Sequence, residues 1–160
     1  MPAAFFENAV VFAREYADRF HHFKEEFLMF GLLAQKQAGR LDAEIGALRH
    51  QHERCRQAMA AIERALPGYG AGEEIAATAV VVELAAYVAL LRRHIHLEDE
   101  VFFPLVEQVL DREDDRTLMA HIEEEARSPE RAGFTAECRR QVARMGALLA
   151  AERPGERSGR

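Results

Sequence analysis

The chain has 160 residues, of which 49% are hydrophobic and 30% are charged. This length and composition predict a single folded domain with a buried core, and they exclude a chain that is disordered throughout. The formal net charge of -6 at pH 7 argues against nucleic acid or an anionic membrane surface as a partner, because both require a basic face.

The start of the chain does not resemble a secretory signal, since it lacks a basic segment and carries an early acidic residue, Glu7. No run of apolar residues approaches the ~18–20 that would cross a bilayer, so no membrane partner is expected. The two cysteines, Cys55 and Cys138, are far apart in the chain, and we expect both to be reduced and buried. These features together predict a cytoplasmic protein.

Helix-favouring residues dominate the chain, and glycine and proline mark only a few breaks. No segment alternates with period two for long enough to form a sheet. The fold class is therefore predicted as all-α, an antiparallel up-and-down bundle of long helices with short connections. A single domain is expected over residues 1–152, followed by a disordered tail at 153–160. The predicted helices cover about residues 3–36, 42–66, 74–110, 112–127 and 131–151.

Histidine is the unusual feature of the composition, because six of the seven occur in close pairs. In the second helix, apolar residues recur at alternating intervals of three and four, and His52 belongs to that series. The third helix has a series of the same kind, which includes His94 and Glu98. We therefore expect these three side chains to face the core.

The first helix is apolar on two faces, which predicts two packing neighbours. One face contains His21 and Glu25, a histidine and a glutamate one turn apart, while His22 and Glu26 lie about 100° further round and are weaker candidates. The other face is rich in phenylalanine and is expected to serve packing. Its members are Phe5, Ala9, Phe12, Tyr16, Phe20, Phe23, Phe27, Phe30 and Ala34.

Three histidines and two glutamates are thus predicted to meet in the core from three helices. A lone inward histidine is more often an ordinary core residue, but a buried glutamate is costly unless it is paired, protonated or bound to a metal. Imidazole and carboxylate suit iron, manganese or zinc, and carboxylates in bundle cores can bridge two cations. The predicted metal ligands are His21, Glu25, His52, His94 and Glu98. Possible additional ligands or hydrogen-bond partners of ligands are His22, Glu26, Tyr87, His121 and Glu125.

The segments HHFKEEFLMFG (residues 21–31) and HIHLEDEVFFP (residues 94–104) both read H-x-x-x-E-[ED]-x-x-x-F-[GP]. Together with LRHQHERCR (residues 48–56), they give the chain a resemblance to the hemerythrin-like HHE cation-binding domains over about residues 5–150. The resemblance implies a non-haem di-iron centre in a four-helix bundle, with histidines as terminal ligands and Glu25 and Glu98 as bridges.

The chain departs from the family pattern at its start, because no histidine precedes Tyr16 and the family's usual first helix has no counterpart. Four explanations are open: a start site placed too late, a second subunit that completes the bundle, a fold-back of the two extra C-terminal helices, or an incomplete site. We favour a homodimer through the phenylalanine-rich face. In the fold-back arrangement, His121 and Glu125 would supply ligands.

These patterns predict an iron protein that binds or senses a small molecule such as O2, NO or peroxide. Zinc or manganese is the alternative metal. The alternative functions are a di-iron oxidase or peroxide-consuming enzyme and a metal-free helical dimerisation module. The residues do not decide whether the protein is an enzyme.

Overall fold

The computed structural model describes residues 1–36 and 39–152, and within these ranges the chain is helical without a β-strand. Helix α1 covers residues 3–36 and is followed by α2 (Asp42–Gly70), α3 (Glu74–Val109), α4 (Arg112–Ala126) and α5 (Phe134–Ala151). The all-α prediction is confirmed. Predicted disorder at 153–160 lies outside the described residues.

Two predicted boundaries differ from the structure. Helix α2 was expected to end near residue 66, before a proline, but it continues through Pro67 to Gly70. Gly68 explains the tight hairpin that follows, because a Cβ there would lie 2.9 Å from Ala76 Cβ on α3. The last helix begins at Phe134 after a short 3₁₀ turn (Pro129–Arg131), not at 131.

Helices α1 and α3 are not uniform α-helices. Residues Ala13–His22 and Lys24–Met29 of α1, and Glu98–Phe102 of α3, are π-helical. A π turn closes its hydrogen bonds between residues five apart and so takes more residues than an α turn. The side chains that follow are therefore rotated relative to an α-helical projection.

The core has two hydrophobic layers. One contains Phe30, Leu33, Leu48 and Phe102, and the other contains residues from the beginning of α1, the end of α2 and the first half of α3. Helices α1 and α3 begin in the second layer and end in the first, whereas α2 begins in the first layer and ends in the second. Helix α2 is therefore antiparallel to both α1 and α3. The residues between the layers include the buried histidines, so apolar packing closes the site on both sides.

The C-terminal helices fold back against α1. Phe134 at the start of α5 packs on Phe20 with ring centroids 4.7 Å apart, and Arg131 lies over both rings. Part of the phenylalanine-rich face is thus covered within the chain, whereas Phe27 is 68% exposed. This arrangement corresponds to the fold-back alternative, and a dimer through the same face stays a prediction.

Helix α3 is more apolar than the sequence analysis allowed. The most apolar 18-residue window of Glu74–Val109 has a mean hydropathy of 1.9. By length and composition, this helix is long and apolar enough to cross a membrane. The expectation that no segment meets this criterion was wrong, because alanine and valine raise the mean without forming an unbroken run of large residues. One helix of this length and composition does not by itself indicate a membrane span.

Two phenylalanines on α1 provide a matched test of the packing. Phe30 is 1% exposed and contacts Phe102 edge to face, whereas Phe27 is exposed. We expect Phe30→Ala to lower the free energy of unfolding by about 3–5 kcal/mol through the cavity that it leaves. Phe27→Ala is expected to change it by less than about 0.5 kcal/mol. Urea denaturation of the metal-free protein measures both, and equal losses would contradict the assignment of Phe30 to the core.

Candidate metal centre

Three histidines from three helices meet in the core. His22 of α1, His52 of α2 and His94 of α3 are 2%, 0% and 1% exposed, respectively. The rings of His22 and His52 are stacked with centroids 3.8 Å apart, and His94 meets His52 edge to face at 4.8 Å. One ring nitrogen from each histidine falls in a group whose atoms all lie within 4.8 Å of one another.

The Nδ1 atom of each ring has a hydrogen-bond partner outside the group. His52 Nδ1 lies 2.7 Å from Glu26 Oε1, His94 Nδ1 lies 3.0 Å from Gln51 Oε1, and His22 Nδ1 lies 3.4 Å from Asp18 Oδ1. An acceptor at Nδ1 favours the tautomer in which Nδ1 carries the proton, leaving the lone pair on Nε2. None of the described residues makes a hydrogen bond to these three buried Nε2 atoms.

Burial keeps the imidazoles of His22 and His52 neutral. It lowers the pKa of His22 to about 2, with further lowering from His52, His21 and His94. Burial also lowers the pKa of His52, although Glu26 acts in the opposite direction. A neutral imidazole is the form that binds a metal, so both rings are ready to act as ligands at neutral pH.

Two carboxylates complete the cluster. Glu25 and Glu98 are 5% and 4% exposed, and with His21 and His94 they form a second group whose ligand atoms lie within 4.8 Å. Burial raises the pKa of Glu25 to about 8, aided by the charge of Glu98. Burial opposes ionisation of Glu98 as well, but the close approach of His94 and Glu25 outweighs it and lowers the pKa of Glu98. The pair therefore keeps one proton at neutral pH.

The donor atoms face one another without forming hydrogen bonds. His94 Nε2 lies 2.9 Å from Glu98 Oε1, and His52 Nε2 lies 3.3 Å from Glu25 Oε2. Among the described residues, both oxygens of Glu25 and Oε1 of Glu98 have no hydrogen-bond partner. Buried polar atoms left unpaired cost about 1–3 kcal/mol each. A cation among these lone pairs would satisfy them together, so the residues fit a metal.

One predicted ligand position requires correction. His21 was expected to face the core and His22 to be the weaker candidate, yet 45% of the His21 side chain is exposed while His22 is buried. The π-helical residues Ala13–His22 rotate α1 relative to the α-helical projection used for the prediction. His21 stays at the edge of the cluster, with Nε2 3.6 Å from Glu25 Oε1.

The residues predicted as possible additional ligands lie in different parts of the structure. Glu26 contacts the outer nitrogen of His52 and does not belong to either ligand group. His121 is exposed on α4, and Glu125 pairs with Lys24 and Arg131. The expectation that the fold-back brings these two residues to the ligand cluster is therefore wrong, because neither belongs to a ligand group and His121 lines a separate pocket with Phe27 and Leu28. Tyr87 lines a cavity beside His22.

The sequence analysis missed three residues that orient the histidines. Arg56 donates from Nε to Asp18 Oδ1 at 2.6 Å and from Nη2 to Glu26 Oε1 at 2.7 Å. It therefore connects the two carboxylates that contact the outer nitrogens of His22 and His52. Gln51 fills the same position beside His94. Asp18 lies four residues before His22, which is a usable signal, but the Arg56 and Gln51 contacts join different helices and leave no such spacing.

A cavity of about 260 Å³ borders the cluster on the His22 side. It lies between α1, α2 and α3, and its lining includes Ala17, Cys55, Met59 and Tyr87. Burial raises the pKa of Cys55 to about 11 and that of Tyr87 to about 12. Both side chains are therefore uncharged at neutral pH, and the cavity offers a weakly polar space next to His22. Both cysteines of the chain are buried and free, as expected.

The fold and the site define a helical metal-binding protein, with donors from three antiparallel helices. Residues 6–106 match the family described as the hemerythrin HHE cation-binding domain, and the chain belongs to this family. The match ends within α3, whereas the resemblance was expected to extend to about residue 150. No curated protein and no solved structure matches the chain significantly.

The Arg56 contacts can be tested through metal affinity. We expect Arg56→Gln to weaken Co²⁺ binding by about 10–100-fold, because the carboxylates that orient His22 and His52 lose their common partner. Arg54→Gln is the control, since Arg54 is exposed on the same helix and bonds to Gln57. A competition titration with a chelator measures both affinities. Equal affinities for the two variants would show that Arg56 does not position the ligands.

Metal uptake should release a proton from the carboxylate pair. Because the pKa of Glu25 is raised to about 8, the metal-free protein retains its proton at pH 7, and a cation displaces it. We expect about one proton per chain at pH 7 and almost none at pH 9, where Glu25 is already ionised. Affinity should accordingly rise with pH up to this range. Calorimetry in buffers of different ionisation enthalpy counts the protons that are released. No release at pH 7 would contradict the raised pKa of Glu25.

Proposed function

We propose that this protein holds a non-haem di-iron centre and uses it to bind or sense a small molecule such as O2, NO or peroxide. The observation that carries the proposal is the convergence of three buried, unpaired Nε2 atoms with the unpaired oxygens of Glu25 and Glu98. Nitrogen and carboxylate donors in this proportion suit iron, with manganese or zinc as alternatives.

The two ligand groups share His94 and divide the remaining donors between them. His22 and His52 would supply nitrogen on one side, and His21 would do so at the exposed edge. The carboxylates belong to the group of His21 and His94, and in this proposal they act as the bridging ligands. A di-iron centre of this kind supplies reversible change between ferrous and ferric states and open positions for a small ligand.

The chain's own residues control access to the centre. The cavity beside His22 is large enough for a small molecule, and Ala17 and Met59 give it apolar walls. Arg56 is held by Asp18 and Glu26 at one side, so its charge is already neutralised. This lining favours an uncharged ligand, which is consistent with O2, NO or hydrogen peroxide.

The second candidate is a di-iron oxidase or a peroxide-consuming enzyme that uses the same centre. The thiol of Cys55 and the phenol of Tyr87, both oxidisable groups, line the cavity, and this observation supports redox turnover as the second candidate. Reversible spectral change with O2 supports the first function, and multiple turnover with peroxide supports the second. A protein that retains no metal would leave the third candidate, a helical dimerisation module.

The first measurement is iron content per chain in protein purified without chelator. We expect about two irons per chain, as a carboxylate-bridged pair requires, and an absorption change on exposure to O2. His22→Asn is expected to lower the content to about half or less, because it removes a buried nitrogen ligand from the centre. His21→Asn is the matched control from the next position of α1, and it should retain more iron.

Loss of iron in His21→Asn with full retention in His22→Asn would show that the buried ring is not a ligand. No metal in the wild-type protein, with helical content intact by circular dichroism, would overturn the di-iron proposal. Circular dichroism of each variant separates loss of a ligand from loss of the fold.

A further inference from the structure

The outer face of α3 carries a row of exposed apolar side chains. Ile75 is 87% exposed and Val82 is 57% exposed, and Val81 and Val88 beside them are also exposed. Only 6% of the most apolar 18-residue window of this helix is buried. Isolated apolar residues on a surface are ordinary, but a continuous face of this kind marks an interaction site.

This face has the spacing of a helix–helix contact. Its residues recur at alternating intervals of three and four, so they form one stripe opposite the stripe that carries His94. Two positions of the stripe are alanine, which allows a second helix to approach closely. The hydroxyl of Thr78 is bonded to the backbone oxygen of Glu74, so its burial leaves no donor unpaired. The stripe consists of Ile75, Thr78, Val82, Ala85, Ala89 and Arg92.

Charge is placed at the two ends of the stripe with opposite sign. Glu73 and Glu74 are exposed at its beginning, and Arg92 and Arg93 are exposed at its end. Between residues 75 and 91 the only charged residue is Glu83, which lies off the stripe. A helix running in the opposite direction, with the same sequence, would place its arginines against these glutamates.

We infer that α3 is the interface of a homodimer in which the α3 helices of two chains pack antiparallel. In this register Val82 lies opposite the partner's Ala85, and Thr78 lies opposite the partner's Ala89. Glu74 then lies level with the partner's Arg93 along the helix axis. Every stripe position meets another stripe position around a two-fold axis between residues 83 and 84, as an isologous interface requires. The interface contains none of the candidate metal ligands.

The surroundings of α3 favour a second chain over a lipid bilayer. The groove between α2 and α3 is lined by Arg54, Arg64 and Glu83, and these charges would enter the membrane together with the apolar face. Burying them in hydrocarbon is costly. Against another chain they remain at the rim of the interface, where charged residues are common.

The first test is the mass of the full chain in solution over a wide range of protein concentration. We expect a dimer, and we expect Val82→Glu to raise its dissociation constant by about a hundredfold or more, because two unpaired carboxylates would be buried at the axis. Phe27→Glu is the matched control, since it places the same charge on an exposed apolar residue of α1. It should leave the dimer intact.

A charge exchange tests the antiparallel register. Glu74→Arg and Arg93→Glu should each weaken the dimer by about tenfold, because two attractive pairs become repulsive. The double variant should return to within about threefold of wild type. Arg139→Glu on α5 alters the net charge as Arg93→Glu does and should have no effect. Circular dichroism confirms that each variant is folded.

A monomer at all concentrations would overturn the inference. So would a dimer that Phe27→Glu dissociates and Val82→Glu does not, since the phenylalanine-rich face of α1 would then be the interface. Association of the wild-type chain only in the presence of neutral phosphatidylcholine vesicles would assign the α3 face to a membrane. Failure of the charge exchange, with Val82→Glu still disruptive, would rule out the antiparallel register.

Discussion

The burial of facing donor atoms is the constraint on which the rest of the structure depends. Imidazole nitrogens and carboxylate oxygens lie within 4.8 Å of one another, and without a proton or a cation between them they repel. The net stability of a domain is only about 5–15 kcal/mol, so several unsatisfied polar groups consume a large part of it. The two apolar layers around Phe30 and Val80 offset this cost on both sides of the site. A cation converts the same groups from a destabilising cluster into a cross-link between three helices.

The π-helical segments are part of the same arrangement. They occur where α1 carries His22 and Glu25 and where α3 carries Glu98, whereas α2 presents His52 from a regular α-helix. A helix with wider turns sacrifices some backbone hydrogen-bond geometry, and such segments are found frequently at functional sites. In this chain these segments contain His22, Glu25 and Glu98, which belong to the candidate ligand groups.

Side-chain directions could be predicted from the sequence where the helix is regularly α-helical and not where it is π-helical. His52 and His94 were correctly predicted to be buried because the residues before them are regularly α-helical, so a period of 3.6 projects their direction. The choice between His21 and His22 failed because the projection passed through ten π-helical residues. The helices and their antiparallel order followed from glycine and proline positions and from continuous apolar series. The contacts of Arg56 join separate helices, and no periodicity within one helix encodes them.

Helix α3 presents two different faces on opposite sides. Its inner face contributes His94 and Glu98, and its outer face is the exposed apolar stripe. Because the helix is continuous, the two faces move together. Helix α3 supplies His94 to both candidate groups and Glu98 to one of them. Movement of this helix relative to α2 would therefore separate His94 from His52. A second chain seated on the outer face would restrain that movement without contacting the ligands. Association and metal binding would then favour the same conformation of α3, and each would strengthen the other by the same factor, since linkage is reciprocal.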